Sequence, residues 1–353
     1  MKRFVHQIVF LLLFTTAWAQ EPNFRFSGQL STWGQFTPDL DKTLWFGGRY
    51  IPQIKYTNHN KFDLEASANI FGDFGMKPFS QFESDGTLKP YRLWVRFATN
   101  QMEFRAGLQK INFGSAQMLR PLMWFDKMDA RDPLQMTDGV WGGLFRYYFK
   151  NNANIWLWGL AMNKDAKIMK GDLKPEVGAR VQFPINRGEM AFSYTTHATK
   201  EHRMGFDVRA DVVVGFWFET SWTYLTDSVP LKNQLMTTIG GDYTIGTGNG
   251  LGITLEHLLF TGGSKVFDYN NNAQFTAVNL TYPLSFFGNA NAILYYDWKN
   301  KNVYNFAGYN HQFKNITLYL MAYLNPKTNA LPMQSGFMRF TGKGVQLMAV
   351  WNY

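Results

Sequence analysis

Apolar and polar residues alternate along many segments of about ten residues, and this period of two constrains the fold more than any other feature of the sequence. In segment 315–324 one face carries only aliphatic side chains: Ile316, Leu318, Leu320, Ala322 and Leu324. In segment 203–212 the polar face carries Arg203, Asp207, Arg209 and Asp211, which is too much charge for a packed interior. The alternation therefore predicts transmembrane strands with one face in lipid and one in a wet lumen, in preference to a soluble β-sandwich.

Composition agrees with this assignment. Charged residues make up 17% of the 353 residues, against about 25% in average soluble domains, and aromatic residues also make up 17%. The aromatic side chains cluster near segment ends, as in 216–218 and 295–298, where membrane interfaces would place them. Beyond residue 19 no apolar run is long enough for a membrane-spanning helix, which excludes a helical membrane protein. Cysteine is absent, which excludes disulfide scaffolds and thiolate chemistry.

The count of alternating segments predicts a closed barrel. About eighteen such segments lie between residues 23 and 353, or sixteen if two short ones are misread, and single-chain barrels need an even number. Short connections alternate with longer ones at 72–89, 114–138, 164–174, 261–272 and 325–342. The sequence thus predicts an all-β fold, a transmembrane antiparallel up-and-down β-barrel over residues 20–353, with both termini in the periplasm.

The two ends of the chain carry export and assembly signals. Residues 1–19 combine a basic start, a short apolar stretch and the small-residue pattern Ala17-Trp18-Ala19, which predicts a cleaved signal peptide. At the other end, Val345, Leu347, Ala349, Trp351 and Tyr353 form an alternating apolar row that finishes in an aromatic residue. This row resembles the C-terminal signal of Gram-negative outer-membrane barrels, so we expect the cell outer membrane as the location.

If the apolar faces point outward, a set of charged side chains must point into the lumen. The arginines of this set are Arg92, Arg96, Arg105, Arg146, Arg180, Arg203 and Arg209, and the acids are Asp63, Glu65, Glu103, Asp207 and Asp211. An arginine wall facing an acidic wall would create a transverse field that favours small polar or anionic solutes. If these charges merely pair with one another, they would instead fill a closed lumen.

The connection 114–133 combines large apolar side chains with six charges: Arg120, Asp126, Lys127, Asp129, Arg131 and Asp132. A fully exposed loop would rarely keep Leu119, Leu122 and Trp124 in water. We expect the loop to fold inward as an eyelet that buries its apolar residues and leaves its charges at a constriction. The alternatives are a lid over the barrel mouth and a contact for a partner protein.

Two motifs carry a family resemblance. The run Gly107 to Gly114 (GLQKINFG), followed by Leu119-Arg120-Pro121-Leu122 and by residues 129–133 (DARDP), resembles a pattern in Gram-negative, Bacteroidota-like outer-membrane porin-type families. The resemblance implies a channel that does not depend on TonB and that transports passively or with weak selectivity. It also implies a role in the constriction for Arg120, Asp129, Arg131 and Asp132.

Catalytic and metal-binding patterns are scarce. His197 and His202, with Glu201 beside them, form the one candidate catalytic cluster, and a solvated hairpin tip explains them equally well. No Gly-x-Ser-x-Gly elbow, phosphate loop or dinucleotide motif occurs. The formal net charge of +9 is spread along the strands, which argues against nucleic acid as a partner. We therefore expect no enzyme, no cofactor and no metal.

These patterns predict an outer-membrane channel for passive or weakly selective diffusion of small hydrophilic solutes, with a mild preference for anions. Its expected partners are outer-membrane lipid, lipopolysaccharide and the solutes. The alternative is an occluded structural barrel inside a larger envelope secretion or export complex. A hydrolase that uses His197 and His202 is a weaker third hypothesis.

Overall fold

The computed structural model of the chain describes residues 23–40, 42–58, 61–76, 82–162, 174–197, 200–226, 230–246, 248–269, 271–327 and 340–353. The signal peptide predicted for residues 1–19 lies outside these ranges. Within them, eighteen strands form one sheet, and no helix is long and apolar enough to cross a membrane.

The strands follow one another along the chain with few long interruptions. The first nine are β1 (Phe24–Phe36), β2 (Leu44–Asn58), β3 (Phe62–Met76), β4 (Phe82–Ala98), β5 (Met102–Gln109), β6 (Val140–Tyr148), β7 (Asn154–Met162), β8 (Lys174–Ile185) and β9 (Gly188–His197). The second nine are β10 (Glu201–Asp211), β11 (Gly215–Leu225), β12 (Asn233–Ile245), β13 (Leu251–Gly263), β14 (Asn271–Pro283), β15 (Gly288–Asp297), β16 (Asn302–Gln312), β17 (Ile316–Leu324) and β18 (Lys343–Asn352).

The sheet closes on itself. Every strand pairs antiparallel with its neighbours in sequence, and β1 pairs with β18, so that Thr32 lies opposite Ala349. Closure satisfies the backbone hydrogen bonds of every strand, which a sheet surrounded by lipid requires. The predicted fold class and the count of eighteen are therefore confirmed.

Strand alternation separates a lipid-facing surface from an inner surface. The outward side chains form an exposed apolar belt that includes Leu93, Phe104, Leu157, Phe192, Met204, Ile239, Leu255, Leu294, Leu320 and Leu347. Their sequence neighbours point into the barrel, as the pairs Asp63–Arg96 and Glu103–Arg146 show. The buried apolar core lies inside the barrel.

The two ends of the barrel differ in the length of their connections. We call the end that holds both termini the terminal end; its turns are short, such as Asn186–Arg187 between β8 and β9. We call the other the loop end; it carries the connection between β5 and β6, residues 110–139, which we call the inner loop. The long connection 110–139 agrees with the predicted alternation of lengths, whereas β15 and β16 are joined at this same end by residues 298–301 alone.

Two sequence-based boundaries are wrong. The predicted connection 72–89 is mostly strand, since β3 continues to Met76 and β4 begins at Phe82. The glycines of this connection and the following Pro90 are typical of residues that interrupt strands. Pro90, however, lies at a register shift between β3 and β4, where a missing N–H is tolerated. The other boundary error makes a strand too long. β5 ends at Gln109 and not at Phe113, because the chain leaves the wall for the lumen at that point.

Candidate functional site

The inner loop folds into the barrel and touches the wall on many sides. After β5 it crosses to β10–β13, where Ser115 approaches Asp207 and Leu119 meets the wall. It then returns past Trp158 on β7, and Arg131 reaches Phe306 on β16. Its last part borders β1–β3 and β18 and ends beside β4. The predicted inward course of this loop agrees with the structure.

Glu219 on β11 anchors the first turn of the inner loop. Its carboxylate accepts hydrogen bonds from the backbone N–H of Ala116 (2.9 Å) and of Leu122 (2.6 Å). Gly114 makes this approach possible, because a Cβ there would overlap the carboxylate and its φ of +97° suits glycine. One wall side chain thus holds two points of the loop that are separated by six residues.

Glu256 on β13 anchors the tip of the same turn. It accepts three consecutive backbone N–H groups, from Gln117 (2.6 Å), Met118 (2.9 Å) and Leu119 (2.6 Å). The indole N–H of Trp217 adds a fourth hydrogen bond at 3.0 Å. Buried N–H groups need acceptors, and bonds to a carboxylate are about twice as strong as neutral ones. The anchoring carboxylates are fully buried.

Apolar side chains complete the attachment of the inner loop. One cluster joins the loop to β6 and β7 and consists of Ile111, Phe113, Leu122, Phe125, Val140, Leu144, Trp158 and Leu160. A second cluster joins it to β13–β16 and consists of Leu119, Leu258, Phe275, Ala277, Ile293, Tyr295 and Tyr304. The large apolar residues of the loop are buried in this way, as the sequence predicts.

The charges of the inner loop do not line a constriction, contrary to our expectation. Arg120 donates to Asp126 (3.1 Å) and to Asn112 (2.5 Å), and Arg131 forms a two-pronged ion pair with Asp129. All four charged residues are at most 6% exposed. Charge that enters a crowded interior needs a nearby partner, and the loop supplies these partners from its own sequence.

The fifth predicted charge of the loop, Asp132, is also buried. It accepts the backbone N–H groups of Leu134 (3.0 Å) and Met136 (3.1 Å), which fixes the last turn of the loop. Burial raises the pKa of its carboxyl above the ordinary value, although these two hydrogen bonds oppose that shift. Among the charges that we predicted on this loop, Lys127 remains exposed.

The seven arginines of the predicted lumen set point inward, but they differ in how far a solute could reach them. Arg92 is buried and donates to the carbonyls of Tyr91 (2.6 Å) and Thr137 (3.0 Å). Arg180 is buried against Asp207 at 2.6 Å. The side chain of Arg96 is 32% exposed and that of Arg209 is 37% exposed.

Charges of opposite sign sit beside one another at the terminal end. Glu103 lies within 3.5 Å of Arg96, 3.1 Å of Arg105 and 3.3 Å of Arg146, and Arg96 also donates from Nε to Asp63 at 2.6 Å. These residues occupy neighbouring strands β3–β6. The expected transverse field between an arginine wall and an acidic wall is therefore wrong for this group, because each acid is neutralised by arginines on the adjacent strands.

Several inward residues escaped the sequence analysis. Glu219 and Glu256 are the anchors, and Trp33, Arg49 and Trp94 stay partly exposed on the inner wall of β1, β2 and β4. A carboxylate in an otherwise apolar inner row is the signal that could have revealed Glu256, which shares its face with Leu258 and Phe260. Such an acid needs buried donors, and three of those that Glu256 has come from the loop inside the lumen.

The candidate catalytic histidines point to opposite faces of the wall. His197 faces the lumen, where its Nδ1 lies 3.6 Å from Glu176. His202 faces outward and shares a hydrogen bond of 2.9 Å with the hydroxyl of Tyr194. The two rings therefore cannot act on one substrate. Among the described residues no cluster of three metal-ligating His, Cys, Asp or Glu side chains occurs.

Comparison with known proteins identifies the architecture. Neither a protein-family model nor a curated protein matches the sequence. Solved structures do match: OccAB1 of Acinetobacter baumannii shows a TM-score of 0.61 at 10% identity, over 94% of this chain and 96% of that chain. OpdK, an outer membrane protein of Pseudomonas aeruginosa, shows a TM-score of 0.60 at 9% identity, over 94% and 99% of the respective chains.

A third match is Wzi of Escherichia coli, described as a carbohydrate-binding β-barrel involved in capsule assembly. It shows a TM-score of 0.57 at 12% identity, over 98% of this chain and 88% of that chain. None of these matches supports the Bacteroidota-like origin that the sequence motifs imply. At such low identity the likeness establishes the fold alone: the chain is an eighteen-stranded antiparallel β-barrel with the architecture of these outer-membrane proteins.

Proposed function

We propose that the protein is an outer-membrane channel through which small hydrophilic solutes diffuse, with a mild preference for anions. In this proposal residues 1–19 are removed on export, the terminal end faces the periplasm and the loop end faces the medium. The apolar belt then contacts lipid, and lipopolysaccharide surrounds the loop end. Fold likeness to Occ and Opd barrels supports a channel of this general kind.

The observation that carries the proposal is the anchored inner loop. Two buried carboxylates and two apolar clusters hold it against β6–β7 and β10–β16, so the loop occupies part of the cross-section of the barrel. The side chain of Arg96 is 32% exposed, whereas those of its partners Asp63 and Glu103 are 11% and 12% exposed. A solute in the lumen therefore meets the guanidinium more readily than the two carboxylates, which supports a modest anion preference.

Single-channel recording tests the proposal. The refolded protein should conduct steadily in planar bilayers, and its reversal potential under a KCl gradient should lie on the chloride side. Replacement of the accessible arginines, Arg96→Ala with Arg209→Ala, should move the reversal potential toward the potassium side. Lys314→Ala, in an exposed terminal-end turn, is the matched control and should leave it unchanged. A folded barrel that does not conduct would contradict the proposal.

A second candidate function is an occluded barrel that serves as a subunit of an envelope assembly. It is favoured by the depth of burial around the inner loop, where Glu219, Thr238 and Glu256 on the wall are inaccessible to solvent. Wzi, whose fold this chain shares, is described as an outer-membrane protein involved in capsule assembly. Absence of conductance together with a stably co-purifying envelope protein would support this candidate over a channel.

A further inference from the structure

Where the last part of the inner loop borders β1–β3, some of the lumen wall stays accessible, and an aromatic side chain lies flat there. Trp33 on β1 rests on Gly47 of β2, where any Cβ would overlap the indole. The ring of Phe71 on β3 continues this surface, with ring centroids 5.7 Å apart and planes 27° apart. Phe71 is buried, but the indole of Trp33 stays partly exposed, so part of it is accessible from the lumen.

A cavity of about 50 Å³ lies beside this aromatic surface, between the wall and residues 132–134 of the inner loop. A water needs about 10–15 Å³ of such space, so the cavity takes a few waters or the polar edge of a solute that lies on Trp33. Its polar lining comes from β1–β3, β18 and the loop: Ser31, Gln35, Arg49, Asp73, Asp132 and Gln346.

The cavity brings charges of both signs together, Arg49 on one side and Asp73 and Asp132 on the other. Arg49 would attract an anion, but Asp73 and Asp132 face the same space and would repel it. An amine would meet Arg49. A hydroxyl group both donates and accepts, so it can bond to the guanidinium and to a carboxylate at the same time.

Two polar atoms at this place lack a hydrogen-bond partner within the described part of the chain. They are Oγ of Ser31 and Nε of Arg49, whose guanidinium lies 5.2 Å from the centre of the Phe71 ring. Both atoms are buried, whereas the side chain of Arg49 as a whole is partly exposed. The other N–H groups of its guanidinium are therefore the donors that a solute hydroxyl can meet.

We infer that Trp33 and the adjoining cavity form a binding subsite for a neutral, polyhydroxylated solute of monosaccharide size. The C–H face of the sugar ring rests on the exposed indole of Trp33, and one hydroxyl edge enters the cavity toward Arg49 and Asp73. The inference rests on the proposed function, because the solute reaches this subsite through the lumen. It deepens that function by naming a class of solute that is retained on the way.

Isothermal titration calorimetry of the folded protein in detergent, with D-glucose as the probe, tests the subsite without requiring conductance. We expect saturable binding by the native protein and about tenfold weaker binding by Trp33→Ala, a loss of about 1.4 kcal/mol. Trp33→Phe should retain part of the affinity, which separates loss of stacking from loss of folding. Arg49→Gln should weaken binding while leaving the aromatic surface in place.

The matched control is Trp94→Ala, because Trp94 is a second partly exposed lumen indole that stacks with Arg105, 4.6 Å from the ring centre, and does not border the cavity. Its glucose affinity should equal that of the native protein. No glucose binding, or equal loss in both tryptophan variants, would overturn the inference. Tighter binding of glycine or acetate than of glucose would overturn it as well. If the channel conducts but glucose does not bind, the proposed function stands and only the subsite fails.

Discussion

Two carboxylates hold the inner loop although water does not reach either of them. Glu219 and Glu256 together accept five backbone N–H groups from residues 116–122, and Trp217 adds its indole N–H. A side chain with four lone-pair directions suits this task, since consecutive N–H groups of a tight turn converge on one point. The same groups without an acceptor would be costly to bury.

Glu256→Gln should therefore loosen the inner loop. The amide keeps one acceptor oxygen but turns an NH2 donor toward N–H groups that need acceptors. We expect the free energy of unfolding to fall by about 1–3 kcal/mol. Urea-induced unfolding in lipid vesicles measures this change, and single-channel recording should show larger current noise because the loop fluctuates more.

Glu83→Gln is the control for this substitution. Glu83 is exposed near the loop end of β4, so its amide should leave both stability and noise unchanged. Equal stability and equal noise for Glu256→Gln and the native protein would show that the hydrogen bonds to Glu256 do not restrain the loop.

At the scale of single elements, paired strands shape the lumen by setting a large aromatic residue opposite a glycine. Trp217 on β11 lies over Gly240 on β12, as Trp33 lies over Gly47. The glycine gives the indole room to lie flat, so that a tryptophan occupies little of the cross-section. Trp217 is fully buried and cannot turn away, whereas Trp33 borders open space.

Gly240→Ala should consequently be destabilising. The added methyl group collides with the indole of Trp217 and with Glu256, and overpacking of this kind costs about 1–3 kcal/mol. Gly159→Ala on β7 is the matched control, because no atom lies within 4 Å of its added methyl group. Equilibrium unfolding of both variants checks the difference, and similar stabilities for the two would contradict this account of Trp217.

The connection between β1 and β2 provides a pH-dependent contact. Asp39 binds Nζ of Lys327 at 2.7 Å and accepts the backbone N–H of Lys343 at 3.0 Å. These bonds hold the pKa of Asp39 below its ordinary value. The contact should thus be complete at neutral pH and be lost only when the pH falls through that lowered pKa.

Amide hydrogen exchange of residues 340–343 measures this contact. In the native protein we expect these amides to be protected at neutral pH and to exchange faster in strong acid, after correction for the intrinsic exchange rate. In Asp39→Asn they should exchange faster already at neutral pH. Asp138→Asn is the control, since Asp138 pairs with Lys89 away from this segment. Unchanged protection in Asp39→Asn would show that other contacts hold the segment.

Elements were predictable from the sequence where one side of the chain meets lipid. The alternation along 203–212 and 315–324 predicts the strands and the inward direction of Arg203 and Arg209, because lipid tolerates no charge on the outer face.

The contacts inside the barrel follow no such rule. The partner of Arg120 is Asp126, six residues away along an irregular loop, and alternation carries no information about that pair. The anchors lie about 100 residues or more from the loop they hold, beyond the reach of any local pattern.

In the whole molecule, closure of the sheet places adjacent residues of one strand in different environments. The outer side chain meets lipid, and its neighbour points into the lumen. Leu320 and Met321 on β17 are neighbours in sequence, yet Leu320 is 47% exposed on the outer belt and Met321 points into the barrel. A charged side chain should therefore be tolerated at position 321 but not at position 320.

Leu320→Arg should lower the free energy of unfolding from a bilayer by about 2–4 kcal/mol, the cost of arginine near the membrane midplane. Met321→Arg is the matched variant and should cost less, because its guanidinium can remain hydrated in the lumen. Folding titrations with urea in phosphatidylcholine vesicles compare the two. Equal costs would mean that the lumen beside β17 is as dry as the lipid.

The inner loop also determines when its own site can exist during assembly. It follows β5, yet its anchors lie on β11 and β13, and its last part borders β1 and β18, the two strands of the seam. A growing sheet that contains only the first ten strands offers neither anchor. Contacts this distant in sequence form late and slowly. We therefore expect the lumen to narrow only as the barrel closes. An assembly intermediate should have most of its strands in place before the inner loop is attached to the wall.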